Sequence, residues 1–237
     1  MFKGLESQGI LGVYEVGGKV RDELLGLSSK DIDYAVEALS WEHMRAWVKR
    51  NTKQIFLEKP EFLTIRALTH TNDAVDFVMC RKDGAYSDSR RPDKVTPGTI
   101  YDDLARRDFT VNAIAKNLVT GEYLDPSGGR RDIYLQRLSC VGNTMDRLTE
   151  DPLRVIRAIR FWITKNLHPS YDLIDALEKH NWCAQLQAIS VNRRREELER
   201  CLKADTIKTL NIITSLNSTI LDGLFSDGLW LKPTLEK

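Results

Sequence analysis

Two hydrophobic periods divide this 237-residue chain, and the change from one to the other falls near residue 141. Before it, short apolar runs rich in β-branched and aromatic residues alternate with helical patterns. Residues 11–16 and 31–36 read as strands, 19–25 as a short helix, and 40–49 as a helix started by Ser40. Residues 62–68 and 74–80 are β-rich runs that predict a hairpin. The stretch 81–98 is polar and holds Gly84, Pro92, Pro97 and Gly98, which predicts a long mobile loop. Residues 108–116 look helical, and 121–129 are rich in turn residues and mark a hinge. From about 143 the helical period dominates. Residues 150–164, 171–179 and 191–202 are the clearest helices, the first with Asp151 as cap and Pro152 at its first position. This divides the chain into an α/β portion at 1–140, a helical portion at 141–204 and a short segment at 205–237 with weak helical signal.

Composition narrows the class without naming a function. Hydrophobic residues make up 42% and charged residues 29%, as in ordinary globular proteins. Lys and Arg number 35 against 34 Asp and Glu, so any nucleic-acid surface must be local rather than a property of bulk charge. The four cysteines are scattered and form no CxxC pair, which excludes a disulfide scaffold and a zinc site and suits a cytoplasmic protein. No apolar run approaches a membrane span, and neither HExxH nor GxxxxGK[ST] occurs.

The chemistry is concentrated in a phrase near the start, Val16-Gly17-Gly18-Lys19-Val20-Arg21-Asp22, followed by Asp31-Ile32-Asp33. Gly17 and Gly18 let backbone approach a phosphate closely before a helix begins. Asp31 and Asp33 are two apart, so on a strand both carboxylates point to one face. Carboxylates aimed at one spot repel unless a cation lies between them, and Mg²⁺, shared with substrate phosphates, is the natural choice. The pair of features reads as phosphoryl or nucleotidyl transfer.

Four further phrases follow. In Arg106-Arg107-Asp108-Phe109-Thr110-Val111-Asn112-Ala113, Asp108 and Asn112 on a helix would share a face and suit ribose hydroxyls, with Arg107 on a phosphate. The competing reading is a helix capped by Asp108 with solvated arginines. Leu124-Asp125-Pro126-Ser127-Gly128-Gly129-Arg130-Arg131-Asp132 is a connection. In the phrase 150–161, Asp151, Arg154, Arg157 and Arg160 recur at every third position among buried apolar residues. Such a string is costly unless it meets anions, either a triphosphate or carboxylates in i,i+3 pairs such as Asp151 with Arg154. An Asp–Arg pair also matches the amino and ring-nitrogen edge of cytosine and adenine and mismatches uracil and guanine. Arg193, Arg194 and Arg195 open the last phrase and form either an RNA-binding patch or a solvated helix face.

In this order the phrases resemble the bacterial-type (class II) tRNA nucleotidyltransferases, the CCA-adding enzymes, and the related poly(A) polymerases. The resemblance runs from about residue 11 to about 203. It implies an α/β nucleotidyltransferase head of polymerase-beta-like type with a small mixed sheet, an all-α neck and a short helical body. It implies that Asp31 and Asp33 hold two Mg²⁺ ions, with Asp76 as a third carboxylate beside them. Gly17, Gly18 and Arg21 would hold the triphosphate, Arg107 a phosphate, and Asp108 and Asn112 the ribose. Asp151 and Arg154 would read the base, supported by Arg157 and Arg160. The implied partners are CTP, ATP and an RNA 3′ end, that of tRNA. Bacterial poly(A) polymerases carry a Gly-Arg-Arg-Phe phrase where this chain has residues 55–62, which favours tRNA end addition over polyadenylation. Family members continue into a longer helical body, so RNA binding here would fall to a homo-oligomer or another surface.

Overall fold

The structure, a computed structural model, describes residues 5–29, 32–83, 95–225 and 228–229. It forms two compact units that divide between Tyr134 and Leu135, a few residues before the boundary expected near 141. Among the described residues no helix is long and apolar enough to cross a membrane.

The first unit is built on β1 (Ile10–Val16), α1 (Gly18–Leu24), β2 (Ile32–Ala38), α2 (Trp41–Asn51), β3 (Gln54–Lys59), β4 (Thr64–Leu68) and β5 (Ala74–Met79). It continues through β6 (Arg81–Asp83), β7 (Val95–Pro97), α3 (Ile100–Ala105), β8 (Ala115–Asn117), β9 (Tyr123–Leu124) and α4 (Gly129–Tyr134). Seven strands make one mixed sheet in the order β3-β4-β5-β2-β1-β8-β9. Among the described residues only the β2–β5 pairing of this sheet is parallel, and its remaining pairings are antiparallel. β4 and β5 form the expected hairpin, with Thr64 opposite Val78 and Leu68 opposite Ala74.

One face of the sheet is covered by α2, whose Met44, Trp47 and Val48 meet Val36, Ile65, Ala67, Val75, Phe77 and Met79. The Trp47 ring stands edge-on to Phe77 at 5.8 Å, and Tyr34 stacks on Phe77 at 5.2 Å. The alternation of these strands puts Arg66, Asp76 and Asp33 on the other face.

Several elements differ from the sequence expectation. Residues 108–116 are not a helix: Thr110–Asn112 is a single 3-10 turn and Ala115 already belongs to β8. Phe109 through Ala115 are all buried, so this stretch has no solvent face for an amphipathic helix to present. β3 was not anticipated. It is an edge strand with a bulge between Ile55 and Leu57 and mostly exposed side chains, so it lacks an apolar alternation. Residues 121–129 include β9, and α3 begins at a reciprocal cap between Thr99 and Asp102. Of the loop expected at 81–98, residues 84–94 lie outside the described residues, and β6 pairs with β7 on either side of them.

The second unit runs through β10 (Arg137–Leu138), α5 (Thr144–Glu150), α6 (Leu153–Thr164), β11 (His168–Pro169), α7 (Tyr171–Lys179), α8 (Cys183–Gln187), α9 (Val191–Ala204), α10 (Thr206–Ser215) and α11 (Ser218–Phe225). The helix expected over 150–164 forms as α6, beginning at Leu153, and α5 precedes it. A proline pushes the residue before it into extended backbone, and Asp151, at φ −141° and ψ 97°, interrupts the chain between α5 and α6. The weak helical signal after 205 is also corrected. Asp205 caps α10 by accepting from Lys208 N at 2.9 Å, and α11 packs on α8. A Cβ at Gly223 would lie 2.8 Å from that of Leu186, so glycine permits this close approach.

Arg194 ties α9 to α11. Its side chain is fully buried, and Nη1 donates to the carbonyls of Gly223 at 2.7 Å and Leu224 at 3.3 Å. Removing a charged donor from buried carbonyls costs about 3 kcal/mol. Arg194→Ala is therefore expected to lower stability by about that amount and to abolish slow amide exchange in α11, with Arg194→Met restoring packing but not the exchange protection. Hydrogen exchange of the full chain checks this; unchanged protection in α11 would refute the tie.

Candidate nucleotide-binding site

The first unit brings together side chains from four separate segments. β1 ends at Val16, and Gly17 turns the chain into α1 at φ +69° and ψ −130°, a region that an L side chain rarely adopts. A Cβ added at Gly17 would lie 3.1 Å from Arg107 Nη1 and 3.8 Å from Asp33 Oδ2. The bare glycine backbone, the Asp33 carboxylate and the Arg107 guanidinium therefore converge on one place. Asp33 is paired with Asp76 across the parallel β2–β5 ladder, and Asp76 with Arg66 across β5–β4. Register partners share a face, so three strands contribute a row of Asp33, Asp76 and Arg66. Asp31 lies outside the described residues.

Each arginine of this site is held by a carboxylate or an amide. Arg21, buried one turn into α1, donates from Nε to Asp22 Oδ1 at 2.8 Å and from Nη1 to Asn112 Oδ1 at 2.6 Å. Asn112 donates in turn to Asp108 Oδ1 at 2.9 Å, which also accepts from Phe109 N at 2.8 Å. Asp108 and Asn112 are adjacent as the sequence spacing predicted, although a 3-10 turn rather than an α-helix joins them. Arg107 donates from Nη1 to the Asn112 carbonyl at 3.2 Å and from Nη2 to Asp103 Oδ2 at 3.0 Å. Arg106 takes the other oxygen of Asp103. Asp103 is 1% exposed. Burial pushes its carboxyl up, but Arg107 and Arg106 outweigh that and hold it below the ordinary aspartate value.

Asp22 and Asp103 were not anticipated as parts of the site. Asp103 was visible in principle, since it lies three and four residues before Arg106 and Arg107. Its burial depends on the packing of α3, which the sequence pattern did not announce. The phrase read as a hinge is anchored locally: Asp125 accepts from Gly129 N and Arg130 N, and Asp132 accepts from Thr110 Oγ1 at 2.6 Å. A Cβ at Gly129 would collide with the Thr110 carbonyl oxygen.

In the second unit, Asp151 stands before α6. Its Oδ1 accepts from Leu153 N at 3.2 Å and its Oδ2 from Arg193 Nη2 at 3.2 Å. Asp151 thus pairs with Arg193 of α9. Arg154 instead donates from Nη1 to Glu150 Oε2 at 2.8 Å and to the Arg147 carbonyl at 2.7 Å. The anion that meets the arginine string is Glu197 of α9, a nearly buried carboxylate with Arg160 at 2.5 Å and Arg157 at 3.8 Å. Burial lowers the proton affinity of Arg160, and Glu197 opposes that loss. Arg193, Arg194 and Arg195 do not form one surface patch. Arg193 meets Asp151, Arg194 is buried, and Arg195 donates to Asn192 Oδ1 at 3.0 Å. Successive helical positions diverge by about 100°, so three adjacent arginines face three environments.

Residues 13–139 match the family model of the poly A polymerase head domain. The chain belongs to that family. Among curated members of similar sequence, the CCA-adding enzyme of Geobacillus thermodenitrificans is 35% identical over 222 residues, 92% of this chain and 53% of its own. That of Bacillus pumilus is 36% identical over 196 residues, 80% of this chain and 46% of its own. The Bacillus stearothermophilus CCA-adding enzyme in complex with CTP superposes with a TM-score of 0.78 at 30% identity, covering 95% of this chain and 52% of that one. The Thermotoga maritima CCA-adding enzyme complexed with tRNA superposes with a TM-score of 0.69 at 28% identity, covering 86% and 46%. The chain spans about half the length of the curated relatives it matches.

The buried Asp103 is expected to make the head sensitive to acid. A carboxyl held low in the folded chain stabilises fully above the ordinary value of 3.8 and loses that contribution as pH falls through the folded value. Asp103→Asn leaves two arginines without their shared anion and is expected to cost about 3–5 kcal/mol at neutral pH. It should also flatten the loss of stability below pH of about 4. Urea denaturation across that range checks both; a mutant that keeps the wild-type acid slope would show that Asp103 is not the responsible group.

Proposed function

We propose that this chain transfers nucleotides from CTP and ATP to an RNA 3′ end, that of tRNA, without a nucleic-acid template. The observation that carries the reading is the convergence of the Gly17 turn, Asp33 and Arg107, with Asp76 paired to Asp33 in the adjacent strand. The relatives of known structure supply the substrate class, since one is described with CTP and another with tRNA. Free thiols at Cys80, Cys140, Cys183 and Cys201 fit the reducing cytoplasm in which such an enzyme would work.

The reaction is attack of the RNA 3′-oxygen on the α-phosphorus. The bond to the bridging β-phosphate oxygen breaks, pyrophosphate leaves, and the hydroxyl proton departs. Asp76, in the carboxylate row, would take that proton. Among the described residues no group of three or more His, Cys, Asp and Glu side chains gathers. Asp33 and Asp76 nevertheless offer hard oxygen donors of the kind Mg²⁺ shares with substrate phosphates, and Asp31 precedes them in sequence. Bound there, Mg²⁺ would ease loss of the hydroxyl proton and stabilise the leaving pyrophosphate. Gly17 and Gly18 give the triphosphate close access to backbone. Arg21 and Arg107, fixed by Asp22 and Asp103, meet it with preset forks. Asp108 and Asn112, locked to each other, select the ribose.

In the second unit the Asp151 carboxylate and the Arg154 guanidinium read the base as acceptor and donor. Arg193 holds Asp151, while Glu197 neutralises Arg157 and Arg160 so that they support the helix. Polyadenylation is the second reading, favoured by the family model itself. The two differ in product: tRNAs ending before C, CC or CCA, supplied with CTP and ATP separately, yield either a completed CCA end or an A tract.

Asp33→Ala is expected to reduce addition by at least about a thousandfold while leaving thermal unfolding unchanged. Near-normal turnover in the purified mutant would remove the carboxylate row from the mechanism.

Asp151→Ala is expected to lose preference for C and A over U and G, by about tenfold or more in kcat/KM ratio, with smaller change in triphosphate affinity. Competition assays with all four nucleotides check this; unchanged selectivity would place base reading elsewhere.

A further inference from the structure

The face of the head sheet opposite α2 carries charge and apolar surface that the nucleotide site does not use. Arg66 is the register partner of both Asp76 and, on its other side, Leu57 of β3. Its side chain is 53% exposed, and its contact with Asp76 is a loose ion pair at 3.7 Å. Exposed pairs of that length contribute little, so an anion of higher charge competes readily for the guanidinium. Lys59 on the same edge strand is exposed, and the bulge leaves Phe56 and Leu57 about half exposed. One row thus runs Asp33, Asp76, Arg66, Leu57 from the centre of the sheet to its edge.

We propose that Arg66 binds the sugar–phosphate backbone of the acceptor RNA just upstream of its 3′-hydroxyl, with Lys59, Phe56 and Leu57 continuing the track toward the sheet edge. The inference rests on the nucleotidyltransferase reading of the carboxylate row. Strands are about 4.8 Å apart, so Arg66 lies about 5–10 Å from Asp76 and Asp33, in the range of the phosphates nearest a hydroxyl held there. Cations for phosphates with an aromatic and an aliphatic side chain for base faces are what a single-stranded end requires. A protein strand adding to β3 would use its backbone and leave Arg66, one strand inward, unengaged.

The test uses the full chain and a tRNA lacking its terminal A, labelled for fluorescence anisotropy, alongside steady-state addition. Arg66→Ala is expected to weaken RNA binding and raise KM for tRNA about tenfold. It should also reduce the slope of log affinity against log salt by about one. KM for ATP and kcat should stay within about twofold, and Arg66→Lys should recover most of the loss. Lys49→Ala, which removes a charge from α2 on the opposite face, should leave the affinity and the slope unchanged.

Unchanged RNA affinity and salt slope in Arg66→Ala would overturn the proposal, as would a fall in kcat with KM for tRNA unaltered. The latter would make Arg66 a positioning residue for Asp76. Failure of the underlying reading has a separate signature: Asp33→Ala would remain active whatever Arg66→Ala does to RNA binding.

Discussion

The parallel pairing of β2 with β5 is the constraint on which the head depends. It joins the β1–β2 ribbon to the β3–β4–β5 meander and places Phe77 between Tyr34 and Trp47 in the core. The same ladder sets Asp33 opposite Asp76 on the other face. Because side chains alternate with period two, a one-residue slip of β5 would turn Asp76 into the core and expose Phe77. The hydrophobic core therefore enforces the register of the polar row, and packing energy is spent on holding two like charges side by side.

A second theme is the neutralisation of arginines away from water. Arg21 has Asp22, Arg107 has Asp103, Arg160 has Glu197, and Arg194 has backbone carbonyls. Burying a guanidinium costs several kcal/mol unless its donors are met. These partners do more than offset that cost in the head. They fix the direction of each fork, so these donors have their rotamers chosen before any anion arrives. The ordering entropy is supplied on folding rather than on binding.

Much of this was legible in the sequence, and the parts that were not share a cause. The glycine turn, the first two strands, the β4–β5 hairpin and the helices over 171–179 and 191–202 announce themselves through local periodicity and turn chemistry. The stretch 108–116 misled because continuous burial imitates a short helix, whereas Pro152 does open α6, and the short α5 before it went unread. Glu197 and Arg194 were missed as structural partners because their meaning lies across element pairs, where spacing carries no information. Three consecutive arginines look like a patch on paper, yet one of them is fully buried.

The order in which the sheet closes has a consequence for how the chain comes to be competent. The β4–β5 hairpin joins neighbours in sequence and needs only a short loop, whereas the β2–β5 ladder must bring Asp33 to Asp76 across α2, β3 and β4. Loop closure of that kind is slow relative to hairpin formation. The carboxylate row therefore depends on the non-local ladder, and a chain with only the hairpin and α2 in place lacks it. A chain without that ladder lacks the arrangement that the proposed nucleotide transfer needs.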